Sequence, residues 1–268
     1  MKTMASNAPI GVFDSGLGGL SVLRELVRAL PQENFIYVAD SGHCPYGGKT
    51  QDEIVARASA ITDFLLASDA KLIVVACNTA TIAAVEYLRA TYSVSFVGME
   101  PAVKPAVAAT RSGIIGVLAT GAALKGEKLL RLIDRHASAV TVITQPCPGL
   151  VEQVEIGDLS GPETRRLLTN YTQPLLTAGA DTLVLGCTHY PFLRDTLVDI
   201  VGPDVRLLDT GEAVARRVET LLARESLQTS SAASGRIDWY TSGEPATMAL
   251  AGARLWGAPV SARTVPQT

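Results

Sequence analysis

The chain has 268 residues, 47% of them apolar and 5% aromatic, with a formal net charge of −3. This mild acidity, with no block of Lys or Arg, offers no footprint for nucleic acid; no apolar stretch reaches membrane-spanning length, and residues 1–10 lack the apolar core of a secretion signal. A cytoplasmic protein with neither a nucleic-acid nor a membrane partner is expected. Its four cysteines, Cys44, Cys77, Cys147 and Cys187, are then expected as free thiols. They form no Cys-x-x-Cys pair and the three histidines are scattered, so no metal site is expected.

Residues 10–13 read as a first strand, followed by the glycine-rich turn Asp14–Gly19 and a helix over 20–30 that Pro31 closes. The turn nearly matches a dinucleotide-binding fingerprint, with Asp40 after a 35–39 strand where a ribose-binding acid would stand. Two residues oppose that reading. Ser21 replaces the third glycine, and Asp14 puts a carboxylate where a pyrophosphate needs amides. Residues 41–48 are too rich in glycine for regular structure. Thr50 to Glu53 reads as a capping box opening a scaffolding helix to about Ser68, with Ile54, Ala58, Ile61, Phe64 and Leu65 on one face.

Residues 72–76 are an apolar run ending at Cys77-Asn78-Thr79, with a helix expected over 80–91 and a short strand at 95–97. Residues 98–105 read as a connector. A strand over 114–118, a helix over 125–136 and a strand over 140–144 follow. The segment carrying Glu152 and Glu155 comes next, then a helix over 162–178 that Pro174 should kink. The run 183–186 ends at Cys187-Thr188-His189. A helix over 192–201, a strand at 205–209, a helix at 212–224, a loop at 225–235, a strand at 236–241 and a helix at 244–256 complete the chain.

Ile10-Gly-Val and Ile115-Gly-Val, Cys44-Pro and Cys147-Pro, and the two cysteine strands recur in one order, about 103 to 110 residues apart. Repetition of this kind predicts an α/β protein of two similar lobes with mostly parallel sheets. The expected division is 1–100 plus 210–268 for the first lobe and 101–209 for the second. Open parallel sheets bind ligands beyond the C-terminal ends of their strands, where each cysteine falls.

Two thiols on opposite sides of one carbon can invert it, one removing a proton and the other returning one. Each needs a neighbour to hold its proton, because a thiol near its reference pKa of roughly 8.5 is mostly neutral at pH 7. Asp14 is placed to assist Cys77, and His189 with an acid from Glu152 or Glu155 to assist Cys187. Ser15, Asn78, Thr79, Thr120, Thr188 and the amides of the Tyr46–Gly47 turn supply neutral donors for carboxylates, which suits an acidic amino acid.

Asp14-Ser-Gly-Leu-Gly-Gly, Pro45-Tyr-Gly, Ala76-Cys-Asn-Thr-Ala and Gly186-Cys-Thr-His-Tyr-Pro together resemble the glutamate racemases, across about residues 9–224. The resemblance implies two lobes related by pseudo-twofold symmetry with the active site in the cleft between them, and cofactor-independent racemisation that supplies D-glutamate for peptidoglycan. It further implies Cys77 acting on the D-isomer and Cys187 on the L-isomer, with Asp14, Glu155 and His189 as auxiliary acids and bases. Substrate binding would fall to Asp14, Ser15, Tyr46, Gly47, Asn78, Thr79, Thr120, Thr188 and His189. A homodimer is implied as well. Family members tend to carry Glu-Glu-Gly where this chain has Glu155-Ile156-Gly157. Aspartate racemase is the alternative within the same superfamily; an acidic amino-acid binding protein and a dinucleotide oxidoreductase are the alternatives outside it.

Overall fold

A computed structural model describes residues 7–125, 127–137 and 139–266. The chain divides into two compact units, residues 1–99 with 211–268, and residues 100–210. The first unit begins with β1 (Ile10–Asp14), α1 (Leu20–Ala29), β2 (Phe35–Ala39), α2 (Gln51–Ala67), β3 (Leu72–Val75), α3 (Asn78–Thr91) and β4 (Ser95–Val97). The second unit holds α4 (Val103–Ala109), β5 (Ile114–Ala119), α5 (Gly121–Lys125), α6 (Glu127–His136), β6 (Thr141–Pro146), α7 (Leu150–Glu155), α8 (Pro162–Thr177), β7 (Thr182–Leu185), α9 (Arg194–Val201) and β8 (Arg206–Leu208). The chain then returns to the first unit with α10 (Gly211–Arg224), β9 (Ile237–Thr241), α11 (Pro245–Trp256) and β10 (Ala262–Thr264).

Both sheets are parallel throughout, in the orders β10-β9-β2-β1-β3-β4 and β6-β5-β7-β8. The series β2-β1-β3-β4 and β6-β5-β7-β8 have the same connectivity, and their central strands carry the repeated Ile-Gly-Val. The glycine of each repeat does the same job. A Cβ on Gly11 would lie 2.9 Å from Leu65 of α2, and one on Gly116 would lie 2.7 Å from Leu175 of α8. A missing side chain on the strand therefore lets a helix leucine reach the sheet, and burying each such leucine contributes about 1.5–3 kcal/mol. In the first unit α2 and α3 cover the face that carries Phe13, Val38, Ile73 and Val75. Ile10, Val12, Tyr37 and Val74 are also buried and point the other way by strand alternation.

A buried lysine and a buried glutamate are paired with each other. Lys71, fully buried, meets Glu33 at 2.6 Å. The other Glu33 oxygen accepts the Thr229 amide at 2.8 Å, which ties the expected 225–235 loop to the sheet. The Thr50–Glu53 capping box forms as expected. Among the described residues, no helix is long and apolar enough to cross a membrane.

Several elements differ from expectation. α4 forms inside and beyond the expected connector, because Pro105 sits in the helix's first turn and breaks no hydrogen bond there. β10 adds an edge strand after α11, where three residues with little apolar character give no strand signal. β6 extends to Pro146, tolerated because β6 is an edge strand. α8 runs through Pro174 into its last turn. The expected 192–201 helix opens instead as a one-turn 3₁₀ segment, Tyr190–Leu193. The expected 125–136 helix is α6; Gly126 lies outside the described residues.

Candidate functional site

Each unit places one cysteine just past the C-terminal end of a strand adjacent to its central strand, and each sulfur meets a different partner. Cys77 follows β3 in extended conformation and is the N-cap of α3; its Sγ accepts the Ala80 amide at 3.4 Å. Helix α3 thus begins at Asn78, two residues before the expected start, because the sulfur takes up one of the helix's unmatched N–H groups. That position favours negative charge on the sulfur, since the first-turn amides and the helix dipole both point at it. The thiol donates to Ser15 Oγ at 3.7 Å, and Ser15 donates in turn to Asp14 Oδ1 at 3.3 Å.

Asp14, fully buried at the end of β1, accepts the Gly19 amide at 2.7 Å with its other oxygen. This amide is one of those a phosphate would need in the glycine-rich turn, and a carboxylate of the chain already holds it. A Cβ on Gly19 would stand 2.7 Å from the Asp14 Cβ, so the turn closes around the acid only with glycine there. Tyr37 Oη donates to Gly16 O at 2.8 Å and pins the turn from below. Asn78 and Thr79, both buried, form the first turn of α3 beside Cys77. Asn78 Oδ1 has no hydrogen-bond partner among the described residues, an expensive state for a buried carbonyl.

In the second unit Cys187 follows β7 by one residue. His189 Nδ1 lies 3.6 Å from its sulfur, and His189 Nε2 lies 2.6 Å from Glu155 Oε1. Of the two acids in that segment it is Glu155, the last residue of α7, that reaches the imidazole. Thr188 is buried between Cys187 and His189. Thr120, at the end of β5, accepts the Ala123 amide at 3.3 Å and caps α5. It occupies the place that Ser15 has in the first unit. Ala119 stands where Asp14 would, so this half draws its carboxylate from α7 instead.

Tyr46 and Gly47 lie in a one-turn 3₁₀ segment that packs on α3. Tyr46 is buried, and its hydroxyl donates to Asp40 Oδ2 at 2.5 Å. The hydroxyl is therefore committed within the protein. Asp40 is the residue whose part the sequence did not disclose. It also receives a bidentate pair from Arg57, at 3.0 and 2.8 Å, and lies 3.1 Å from His43 Nδ1. Burial pushes its carboxyl up, but hydrogen bonds from Arg57, Ser242 and Tyr46 outweigh burial and hold it below the ordinary range. Helix α2, expected only as scaffolding, supplies this arginine. The one available signal was a lone basic residue beside the apolar face at Ile54 and Ala58. In the second unit Tyr190 and Cys147 are both buried, and Tyr190 Oη donates to Cys147 O at 3.4 Å.

A family model described as Asp/Glu/hydantoin racemase matches residues 10–218. The chain belongs to this family. It is 57% identical over 241 residues to a glutamate racemase from Herpetosiphon aurantiacus, covering 90% of this chain and 95% of that one. It is 56% identical over 251 residues to one from Pseudomonas entomophila, covering 93% and 94%. The crystal structure of a glutamate racemase isoform from Bacillus anthracis superposes with a TM-score of 0.87 at 28% identity, over 97% of this chain and 98% of that one. Escherichia coli glutamate racemase, solved with L-glutamate and the activator UDP-MurNAc-Ala, gives 0.83 at 32% identity, over 96% and 97%.

A racemase of this family inverts a carbon stereocentre, which requires a proton to leave from one side and arrive from the other. Each cysteine here has a hydrogen-bonded chain behind it: hydroxyl then carboxylate for Cys77, imidazole then carboxylate for Cys187.

Proposed function

We propose that this protein interconverts L- and D-glutamate by proton transfer between two cysteines and the substrate's α-carbon, with no cofactor. The observation that carries the reading is that each thiol ends its own hydrogen-bonded relay at a strand's C-terminal end, Cys77–Ser15–Asp14 and Cys187–His189–Glu155. In the L-to-D direction the Cys187 thiolate removes the α-proton and the Cys77 thiol delivers one to the opposite face. His189, held by Glu155, takes up the proton that Cys187 must lose before it can act. Ser15 and Asp14 do the same for Cys77 in the reverse direction. A negatively charged carbon forms between these steps, and donors arranged in advance lower its energy.

The glutamate assignment draws on the relatives at 52–57% identity, which are glutamate racemases. Asn78, Thr79, Thr188 and the Tyr46–Gly47 backbone would hold the substrate's polar groups, and the unpartnered Asn78 Oδ1 suits an ammonium donor. Aspartate racemase from Picrophilus torridus shares the fold at 15% identity, which supports fold and not substrate. Four free cysteines suit the cytoplasm, where thiols stay reduced and the D-glutamate would feed peptidoglycan synthesis. We place the enzyme there as a homodimer, to be checked by sedimentation.

Polarimetry on L-glutamate and L-aspartate with no cofactor added tests the reading. Racemisation of glutamate in heavy water, with deuterium at the α-carbon of the product, is expected. Product without label, or preference for aspartate, would overturn it.

A further inference from the structure

The Asp40 cluster lies behind the Cys77 half and takes no part in the relay. Its links form a continuous chain. Arg57 clamps both oxygens of Asp40 in a fork, a geometry that a lysine cannot reproduce. Asp40 accepts the Tyr46 hydroxyl. Tyr46 packs in one apolar cluster with Cys77 and Ala80, and its turn rests on α3, the helix that Cys77 caps. The cluster also has a solvent side. Arg57 and His43 line a cavity of about 370 Å³ with Ile61, Ser242 and Val265. Side chains buried at this density have few alternative positions, so removing the clamp frees the turn rather than one rotamer.

We propose that Asp40 and Arg57 are positioning residues for the Cys77 half of the site, acting through Tyr46 to set the Tyr46–Gly47 turn against Cys77. The proposal rests on the two-thiol reading above and adds a specific asymmetry to it. Misplacing a reacting group by about 1 Å can cost up to about 10²-fold in rate. Loss of the clamp harms delivery of a proton by Cys77 while leaving Cys187, His189 and Glu155 in place.

That asymmetry gives a readout that general destabilisation would not produce. In heavy water Cys187 removes the α-proton of L-glutamate, its thiol exchanges with solvent, and it can return a deuteron to the same face. When Cys77 delivers poorly, this return gains over inversion. Purified Arg57→Ala protein is incubated with L-glutamate in heavy water, and deuterium in recovered L-glutamate is measured against D-glutamate formed. We expect racemisation to fall by about tenfold or more, with the ratio of labelled L-glutamate to D-glutamate rising severalfold over wild type. Arg57→Lys should fall between the two. Guanidinium ion, admitted through the cavity, should restore part of the Arg57→Ala loss.

A proportional fall in both exchange and inversion, or an unchanged rate, would overturn the proposal. If Arg57→Ala does not fold, Tyr46→Phe removes only the hydroxyl that Asp40 holds and is read by the same ratio. Absence of label in wild-type product would instead sink the two-thiol reading itself, so the two failures are distinguishable.

Discussion

Glu155 Oε1 stands 2.6 Å from His189 Nε2, while the other nitrogen of that ring faces the Cys187 sulfur at 3.6 Å. The carboxylate fixes the ring's orientation. Glu155→Gln is expected to lower kcat by about 10²-fold, with a smaller change in KM. Glu152→Gln, one turn away and part of no relay described above, is expected to stay near wild type in the same assay. Equal losses in both variants would remove Glu155 from its role.

Cys77→Ser and Cys187→Ser are each expected to abolish racemisation, by at least about 10³-fold, because a hydroxyl ionises far less readily than a thiol. Both keep a small side chain of nearly the same size, and in Cys77→Ser the new hydroxyl can still cap α3. Far-ultraviolet circular dichroism should therefore match wild type. Full turnover by either variant is the outcome that defeats the two-base scheme.

Cys147 is buried, and burial pushes its thiol up to about 12 from an ordinary value of 9.0. The folded state thus holds a proton that the unfolded state releases first. The stability it lends is complete below about pH 9 and is lost as the pH rises toward 12. Alkylation at about pH 8 with the protein folded should leave Cys147 unlabelled, as mass mapping of the peptides would show. A Cys147→Ala variant should lose stability less steeply than wild type above about pH 9 in denaturant titrations.

Asp40 behaves in the opposite sense. Its carboxyl is held lower in the fold than the roughly 3.9 of an unfolded chain. Its contribution is full above about pH 4 and disappears as the pH falls through the folded value. Urea titrations of Asp40→Asn against wild type should show a stability gap at about pH 6 that narrows below about pH 4. A gap independent of pH would mean that the charge on Asp40 is unimportant.

Gly19→Ala would force its Cβ to within 2.7 Å of the Asp14 Cβ and 2.9 Å of Tyr37 Oη. Crowding of this kind costs about 1–3 kcal/mol, and moving Asp14 breaks the relay behind Cys77. Thermal unfolding should shift down, and activity should fall more than that of an equally destabilised variant remote from the site.

Local signals in the sequence told the most about elements with strong periodicity. The apolar runs before Cys77 and Cys187 and the Thr50–Glu53 box are short-range patterns, and they form as read. The repeated Ile-Gly-Val carried more than strand propensity, because each glycine marks where a helix leucine meets the sheet. The elements that depart from local pattern do so through a contact distant in sequence or an interaction of unusual chemistry. α3 starts early because a sulfur caps it, and β10 exists because β9 offers an open edge.

By itself the sequence determined which side chains end the strands: a cysteine in each half, an Asp-Ser turn before one and a Thr-His pair after the other. These follow from hydrophobic patterning and turn chemistry, which act between residues close along the chain. Only the tertiary structure decided that Glu155 rather than Glu152 reaches His189, that Ser15 stands between Cys77 and Asp14, and that Arg57 holds Asp40. Those choices join residues between one and 62 positions apart. Hydrogen bonds of about 3 Å between them depend on the angle at which packed helices and strands meet, a quantity that no local pattern encodes.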